Sequence, residues 1–311
     1  MNDVLVAVLQ ALFLFAIAPL ITGIIRKLKA WMQSRRGPPV LQPYHDLAKL
    51  FHKDSVVSKD ASWITSVAPY VCIAAMFAAA LLIPAFVSDS IGFAGDLIVV
   101  VYLFAMARLF MTLAAMDAGS TFGGMASSRE MFVSAIIEPT ILLAIFTSAL
   151  IAGATDLSTI SERLATSGAD LLRPSLFLAF AAFFVAILAE NARIPVDNPS
   201  THLELTMIHE GMLLEYSGRH LALMEWASMT KLVLFMTIAW SAFFPWGIAT
   251  SLDPASILIG VVVLVVKLLA LAVAIALIES SMAKMRLFRL PNLLTGSFLL
   301  AFLAVMTYFV L

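Results

Sequence analysis

Acidic residues and histidines gather in one part of an otherwise very apolar chain. Between Glu190 and Glu225 lie six of the 20 acidic residues and three of the five histidines, although 62% of the 311 residues are hydrophobic. Chains of Asp, Glu and His in apolar surroundings mark proton relays in membrane proteins. The stretch therefore predicts a site that handles protons or docks a partner, and the hydrophobic segments around it must position it.

Charged residues also lie inside the hydrophobic segments, where each costs about 2.5–3.5 kcal/mol on insertion scales. Glu138, Glu190 and Lys267 are predicted to line a polar path through the helices. Three others are expected to pair with nearby charges or to extend towards the membrane surface: Arg108, Lys231 and Glu279.

The composition predicts an all-α polytopic membrane protein. A charged fraction of 13% and a mean hydropathy of +1.00 lie far outside the range of soluble proteins. A transmembrane helix needs about 20 apolar residues, and runs such as ILIGVVVLVVKLLALAVAIALI are too long for the strands of a β-barrel. Residues 1–311 are thus predicted to form a single transmembrane domain. About eight spans are expected, at 4–25, 65–88, 95–116, 130–153, 174–192, 226–249, 254–279 and 290–311.

Lysine and arginine are distributed unevenly over the connections between these spans. The connections at about 26–64, 117–129, 193–225 and 280–289 hold most of them, whereas the opposite side has only Arg163 and Arg173. Short basic connections remain on the cytoplasmic side of a membrane. The four basic connections are therefore predicted to be cytoplasmic. Both termini are predicted to lie on the external, periplasmic side of the cell inner membrane.

The acid-rich connection after the fifth span predicts a further helix. Two prolines interrupt the chain, residues 200 and 201 are good N-caps, and His202, Thr206 and Glu210 would then share one face, with His209 beside them. Three interpretations are open: a solvated amphipathic helix, a metal site, and a helix that is buried under a partner and gives access to protons. The third is favoured because the stretch is not lysine-rich, and a metal is disfavoured because HEGML is not the zinc motif H-E-x-x-H.

Two other basic connections have patterns of their own. In RRGPPVLQPYHDLAKLFHKDSV, Leu47, Leu50 and Phe51 recur at helical spacing among charged residues. This predicts an amphipathic helix along the membrane, with a basic face for anionic lipid or an acidic partner. In DAGSTFGGMASSRE, Gly119 and Gly123 predict a close approach of backbones within a loop.

Four motifs occur in a fixed order at the basic connections: RRGPPVLQPYHDLAKL, SSREMFVSAIIEPT, AENARIPVDNP and LLEYSG. With its eight predicted spans, the chain resembles the membrane protein that joins the hydrophilic and membrane arms of respiratory complex I, known as its H subunit. It looks closer to the related subunit of group 4 membrane-bound nickel–iron hydrogenases, of the hydrogenase-4 and formate hydrogenlyase type. The resemblance covers nearly the whole chain.

The resemblance implies roles for individual residues. It places Glu138 and Glu190 on the family's proton path and matches Arg36 and Arg193 to loop arginines that orient carboxylates. The complete predicted proton path consists of Glu138, Glu190, Asp197, Glu204, Glu210, Glu215 and Lys267. The predicted loop and interface residues are Arg36, Arg193, His202, His209, Tyr216 and Arg219.

The chain departs from the complex I protein at the acid-rich connection. Ser200 and His202 stand where the complex I protein has glutamates, and the spacing from Glu204 to Glu215 is longer by nearly one helical turn. Both departures change the charge and shape of a quinone chamber. They favour the hydrogenase branch, in which no quinone need bind.

The resemblance implies a non-catalytic membrane subunit of a redox-driven proton or sodium pump. Such a subunit docks a cytoplasmic redox module and passes protons towards antiporter-like subunits. Because Cys72 is the single cysteine and no nucleotide loop is present, no metal or cofactor is expected on this chain. Nickel–iron and iron–sulfur centres are expected on the hydrogenase large and small subunits and an iron–sulfur subunit. Lipid is an expected contact, and nucleic acid is not.

Three alternatives to this function are carried forward. The first is the quinone-chamber subunit of complex I. The second is a self-contained secondary transporter, although the two halves of the chain show no internal repeat. The third is an inert structural anchor with a polar interior.

Overall fold

The computed structural model describes residues 2–87, 96–167, 173–197, 207–249 and 253–310. Within these ranges the chain forms helices joined by short connections, with two isolated β-bridges. The helices are α1 (Asn2–Met32), α2 (Gln42–Phe51), α3 (Trp63–Leu82), α4 (Leu97–Asp117), α5 (Thr121–Ala152), α6 (Leu157–Thr166), α7 (Pro174–Glu190), α8 (His209–Leu213), α9 (Gly218–Phe243), α10 (Pro254–Ser281) and α11 (Leu290–Val310).

Eight of the described helices correspond to the eight predicted spans. Seven of them are long and apolar enough to cross a membrane, and the shorter α7 is equally apolar. Helices are favoured at this depth because each satisfies its own backbone hydrogen bonds where water is absent. The prediction of an all-α polytopic membrane protein is confirmed.

The prediction of a loop at 117–129 is wrong, because α5 begins at Thr121. Ser120 caps the helix: its hydroxyl accepts a hydrogen bond from the backbone N–H of Gly123 at 3.2 Å. The expected close approach is present at Gly123, where a Cβ would lie 2.4 Å from the carbonyl oxygen of Ala115 in α4. Gly119 serves the turn instead, with a φ of +69° that glycine adopts readily.

The predicted amphipathic helix of the first basic connection is present as α2. Leu47 is buried, and Leu50 and Phe51 pack against the core, whereas His45 and Lys49 are exposed. The same connection also contacts the start of α9. The backbone N–H of Val56 donates to the Ser217 hydroxyl at 2.8 Å.

The acid-rich connection is shorter and less helical than predicted. A continuous helix reaching Glu210 is wrong, because Met207 and Ile208 are not helical and α8 has only five residues. Asp197 explains the break, since its carboxylate accepts the backbone N–H of Ile208 at 3.0 Å and thereby satisfies an amide at the start of α8. His202 and Thr206 lie outside the described residues. The connection was also predicted to continue to residue 225, but α9 begins at Gly218.

Candidate functional site: a buried cluster of charges

Arg108 lies at the centre of a group of carboxylates inside the bundle. It sits in α4 and is 4% exposed. Its guanidinium donates through Nη1 to Glu138 of α5 and through Nη2 to Glu190 at the end of α7. Its Nε lies 3.7 Å from Oε1 of Glu130, also in α5. The expectation that Arg108 pairs with other charges is confirmed, and three acids from two helices share it.

Glu190 is held between two cations. Besides Arg108, Lys231 of α9 places its Nζ 2.7 Å from Oε1 of Glu190 and 3.0 Å from the Glu190 carbonyl oxygen. The Glu190 side chain is 1% exposed. Burying a carboxylate so deeply requires this pairing, because an unpaired charge away from water is strongly destabilising.

His209 completes what we call the Arg108 cluster: Arg108, Glu130, Glu138, Glu190, Lys231 and His209. Its Nδ1 lies 3.3 Å from Oε2 of Glu130. The His209 ring thereby joins α8 to the carboxylate of Glu130, which also faces Arg108. Glu138 is the least buried of the three acids, with 37% of its side chain exposed, whereas Glu130 has 2%. The cluster thus extends from the buried Glu190 to the outer face of α5.

A second group surrounds Glu279 of α10, which is 3% exposed. Its two carboxylate oxygens lie 3.4 Å from Nη1 of Arg193 and 3.3 Å from Nζ of Lys29 in α1. Arg193 follows Glu190 by three positions in the chain. One short segment therefore carries a member of each charge group.

The end of α7 explains how residues 190–197 reach both groups. Ala192 has a φ of +50°, in the left-handed region, and the backbone N–H of Arg193 returns to the Leu188 carbonyl at 2.8 Å. This arrangement is a common way to end a helix and redirect the chain. Further along, Asp197 pairs with Nζ of Lys284 at 2.6 Å, which ties the segment to the residues after α10.

A cavity of about 810 Å³ connects the two groups. Its lining includes Arg108, Glu190 and Lys231 on one side and Glu279 and Arg193 on the other. Apolar side chains complete the walls, among them five methionines: Met76, Met111, Met207, Met224 and Met229. A smaller pocket of about 270 Å³ lies beside Lys29, Arg35 and Lys284. Polar groups from distant parts of the chain thus face one shared cavity.

The structure brings together part of the predicted proton path. Glu138 and Glu190 meet on Arg108, Asp197 holds α8, and Glu210 lines the cavity. Glu215 is exposed and does not line this cavity. Glu204 lies outside the described residues.

Lys267 is not part of the cluster. Its Nζ donates to the Phe244 carbonyl at 2.8 Å and lies 5.6 Å from the centre of the Trp240 ring. Phe244 follows Lys231 by 13 positions, which corresponds to about 20 Å along a helix. The ammonium group of Lys267 is therefore near the opposite end of the bundle.

Only some of the predicted interface residues belong to the two charge groups. Arg193 and His209 belong to the charge groups, as described above. Tyr216 is buried, its hydroxyl donates to the Thr65 carbonyl at 3.0 Å, and burial raises its pKa. Arg36 and Arg219 are exposed, and His202 lies outside the described residues.

Sequence reasoning missed Glu130 as a site residue and did not assign Arg108 to the proton path. Glu130 was assigned to the edge of a loop, so its relation to Glu138 was lost. Once α5 begins at Thr121, the two glutamates lie eight residues apart on one helix. A capping serine before a glycine-rich start of a helix is the signal that would have found it.

The chain is similar to known membrane proteins over almost its full length. A family model described as NADH dehydrogenase matches residues 4–310. The chain is 36% identical to formate hydrogenlyase subunit 4 of Escherichia coli (strain K12), over 97% of each chain. It is also 36% identical to hydrogenase-4 component C of the same organism, over 97% of this chain and 94% of that one.

Two more distant similarities support the fold. The H subunit of NADH-quinone oxidoreductase from Pelagibacter ubique is 28% identical over 90% of this chain and 87% of its own. The solved structure of a membrane-bound sulfane sulfur reductase, an archaeal respiratory membrane complex, includes a chain that superimposes with a TM-score of 0.86. The match covers 98% of this chain and 99% of that chain at 21% identity.

Proposed function

The chain belongs to the NADH dehydrogenase family of membrane subunits, and we propose that it serves a group 4 membrane-bound nickel–iron hydrogenase complex. In that complex it docks the cytoplasmic redox module onto the membrane arm. It passes protons, or sodium ions, from the cavity towards antiporter-like subunits. Hydrogenase-type relatives at 36% identity over almost the full chain support this branch over complex I.

The orientation follows from the distribution of basic residues. The end of the bundle that carries α2, α8 and the residues after α10 holds most of the lysines and arginines. Positive charge favours the cytoplasmic side. We therefore propose that the cavity opens towards the cytoplasm and that both termini lie on the external side of the cell inner membrane. The redox module, with hydrogenase large and small subunits and an iron–sulfur subunit, would cover this end.

The observation that carries the proposal is the sharing of Arg108 by three carboxylates. A guanidinium that faces Glu130, Glu138 and Glu190 can redistribute its hydrogen bonds when the charge nearby changes. When Arg108 or Lys231 moves away from Glu190, that carboxylate loses the cations that keep it ionised and takes up a proton. Return of the cations expels the proton towards the next acid.

Glu138 is the exit from the cluster in this scheme. Its side chain is partly exposed on the outer face of α5, whereas Glu190 is enclosed. A proton that passes from Glu190 to Glu138 therefore moves sideways, towards a neighbouring subunit in the membrane. Nickel–iron and iron–sulfur centres belong to the partner subunits in this proposal. This chain contributes carboxylates, cations and the cavity.

A quinone-chamber subunit of complex I is the second candidate. The cavity of about 810 Å³, with apolar walls and charged residues at both sides, favours it. Relatives that are H subunits of NADH-quinone oxidoreductase are similar to this chain at 27–31% identity. The lower identity places this candidate behind the hydrogenase.

The deciding experiment is cofactor analysis of the native complex, purified in mild detergent through a tag on this chain. Nickel and iron–sulfur clusters without flavin are the expected result. Flavin and bound quinone without nickel would transfer the chain to complex I. Recovery of the chain with no redox partner would contradict both candidates.

A further inference from the structure

Glu130 and His209 contact each other, and Glu130 also lies beside Arg108 at the centre of the cluster. The proton path proposed above includes neither residue. Oε2 of Glu130 and Nε2 of His209 are buried and lack a hydrogen-bond partner among the described residues. Nε of Arg108, which lies 3.7 Å from Glu130, is also buried and lacks a hydrogen-bond partner among these residues. These loose contacts adjoin the tight ones that Arg108 makes with Glu138 and Glu190. A small movement of Glu130 would therefore change the balance among the three carboxylates.

His209 connects Glu130 to the segment that ends the acid-rich connection. Its ring contacts Glu130, and its backbone N–H donates to Asp197 at 3.4 Å. Asp197 in turn pairs with Lys284. A chain of contacts therefore runs from the cytoplasmic end, through α8, to the buried guanidinium.

The packing of α8 on α5 sets the distance between His209 and Glu130. Gly211 faces Ala126, and a Cβ on Gly211 would lie 2.7 Å from the Cβ of Ala126. Met212 packs into the same small cluster with Ala126 and Ala115. Because Ala126 precedes Glu130 by one helical turn, α8 cannot move against α5 without moving His209 relative to Glu130.

We propose that Glu130 and His209 form a positioning pair, which sets how Arg108 is shared between Glu138 and Glu190 according to the position of α8. The pair transmits a displacement of α8 on the cytoplasmic face to carboxylates inside the bundle. The proposal rests on the proposed function for the source of that displacement, a docked redox module. The link from α8 to Arg108 stands on the contacts alone.

The first test measures ion translocation per H₂ in membrane vesicles that contain the complete complex. His209→Leu and Glu130→Gln are expected to lower this ratio by about fivefold, in the range by which residues within a coupling network change coupling. The double variant should be no worse than either single variant, because both remove the same contact. His209→Gln, whose polar amide can keep the contact with Glu130, should recover most of the ratio. Additive losses, or a His209→Leu ratio equal to that of wild type, would overturn the proposal.

Gly211→Ala tests the same link with every polar group in place. The added methyl pushes α8 away from α5, so the ratio should fall as it does in His209→Leu. Adding Ala126→Gly removes the opposing methyl and should restore the ratio. Gly124→Ala is the matched control, since a Cβ there meets nothing within 4 Å. Equal effects of Gly211→Ala and Gly124→Ala would contradict the role of α8.

A second readout does not depend on the partners. Infrared spectra of the full chain alone in nanodiscs should contain a carboxylate band that Glu190→Gln removes. His209→Leu and Gly211→Ala should shift this band, and Gly124→Ala should leave it in place. If the wild-type complex translocates no ions, the proposed function fails and the infrared spectra alone decide on the positioning pair. An unshifted band in both variants would disprove the pair in either case.

Discussion

Arg108 and Lys267 are two cations at membrane depth whose surroundings differ completely. Three carboxylates from α5 and α7 face Arg108. The described contacts of the Lys267 ammonium are a backbone carbonyl oxygen and an indole ring. From sequence the lysine looked the more functional of the two, because it lies near the middle of its apolar run.

Depth in the membrane alone therefore does not identify a functional charge. A cation among several carboxylates has alternative arrangements of similar energy, and proton transfer requires such alternatives. A cation with a carbonyl partner and a ring has one good arrangement, which ties the middle of α10 to the end of α9. Four substitutions test this difference, beginning with the largest expected effect.

Arg108→Leu should have the largest effect. It leaves three carboxylates near one another without their common cation, and removal of one member of a buried ion pair costs about 3–5 kcal/mol. Thermal unfolding of the purified chain in detergent should show a large loss of stability. Arg36→Leu, at an exposed position, is the control. Equal melting temperatures for Arg108→Leu and wild type would show that the cluster does not stabilise the bundle.

Glu190→Gln should preserve the shape of the site and remove the carboxylate that both cations hold. The amide cannot accept a proton, so ion translocation per H₂ should fall by about tenfold. Vesicles with the intact complex provide the measurement, and the exposed Glu215→Gln provides the control. A Glu190→Gln complex with full coupling would sink the proposed path.

Lys231→Met should have an intermediate effect. Glu190 then keeps Arg108 and loses the contacts of Lys231 with its carboxylate and with its carbonyl oxygen. A hydrogen bond from a charged donor contributes about 1.5–3 kcal/mol. Stability and coupling should both decrease, by less than in Arg108→Leu and Glu190→Gln respectively. If Lys231→Met cannot be distinguished from wild type in both assays, Arg108 alone is sufficient as the cation that pairs with Glu190.

Lys267→Met should have the smallest effect and forms a matched pair with Lys231→Met. Methionine fills a similar volume beside Trp240 and removes the cost of burying an ammonium group, which offsets the lost contacts with the carbonyl and the ring. The net change in stability should therefore be about 1 kcal/mol. Coupling should stay at the wild-type ratio. A loss of coupling as large as that of Glu190→Gln would return Lys267 to the proton path and contradict the distinction between the two cations.

Sequence reasoning located much of the site because charge is rare in this chain. Glu138 and Glu190 were chosen for their presence in apolar runs, and the structure places both on Arg108. The boundaries of α5 and α9 were misplaced, since small and polar residues at a helix start look like a loop. That error concealed Glu130. The other members of the Arg108 cluster could not be paired from sequence. Glu190 and Lys231, for example, are 41 positions apart and on different helices.

The class of the protein, its eight spans and its basic end can be derived from sequence alone, because each depends on local composition and on the thickness of a membrane. Which charges meet depends on how the helices pack. Packing of α4, α5, α7 and α9 placed three acids around one arginine, and the turn after α7 brought Arg193 to Glu279. Ion pairs depend on distances of a few ångströms between helices, and hydrophobic periodicity does not encode those distances.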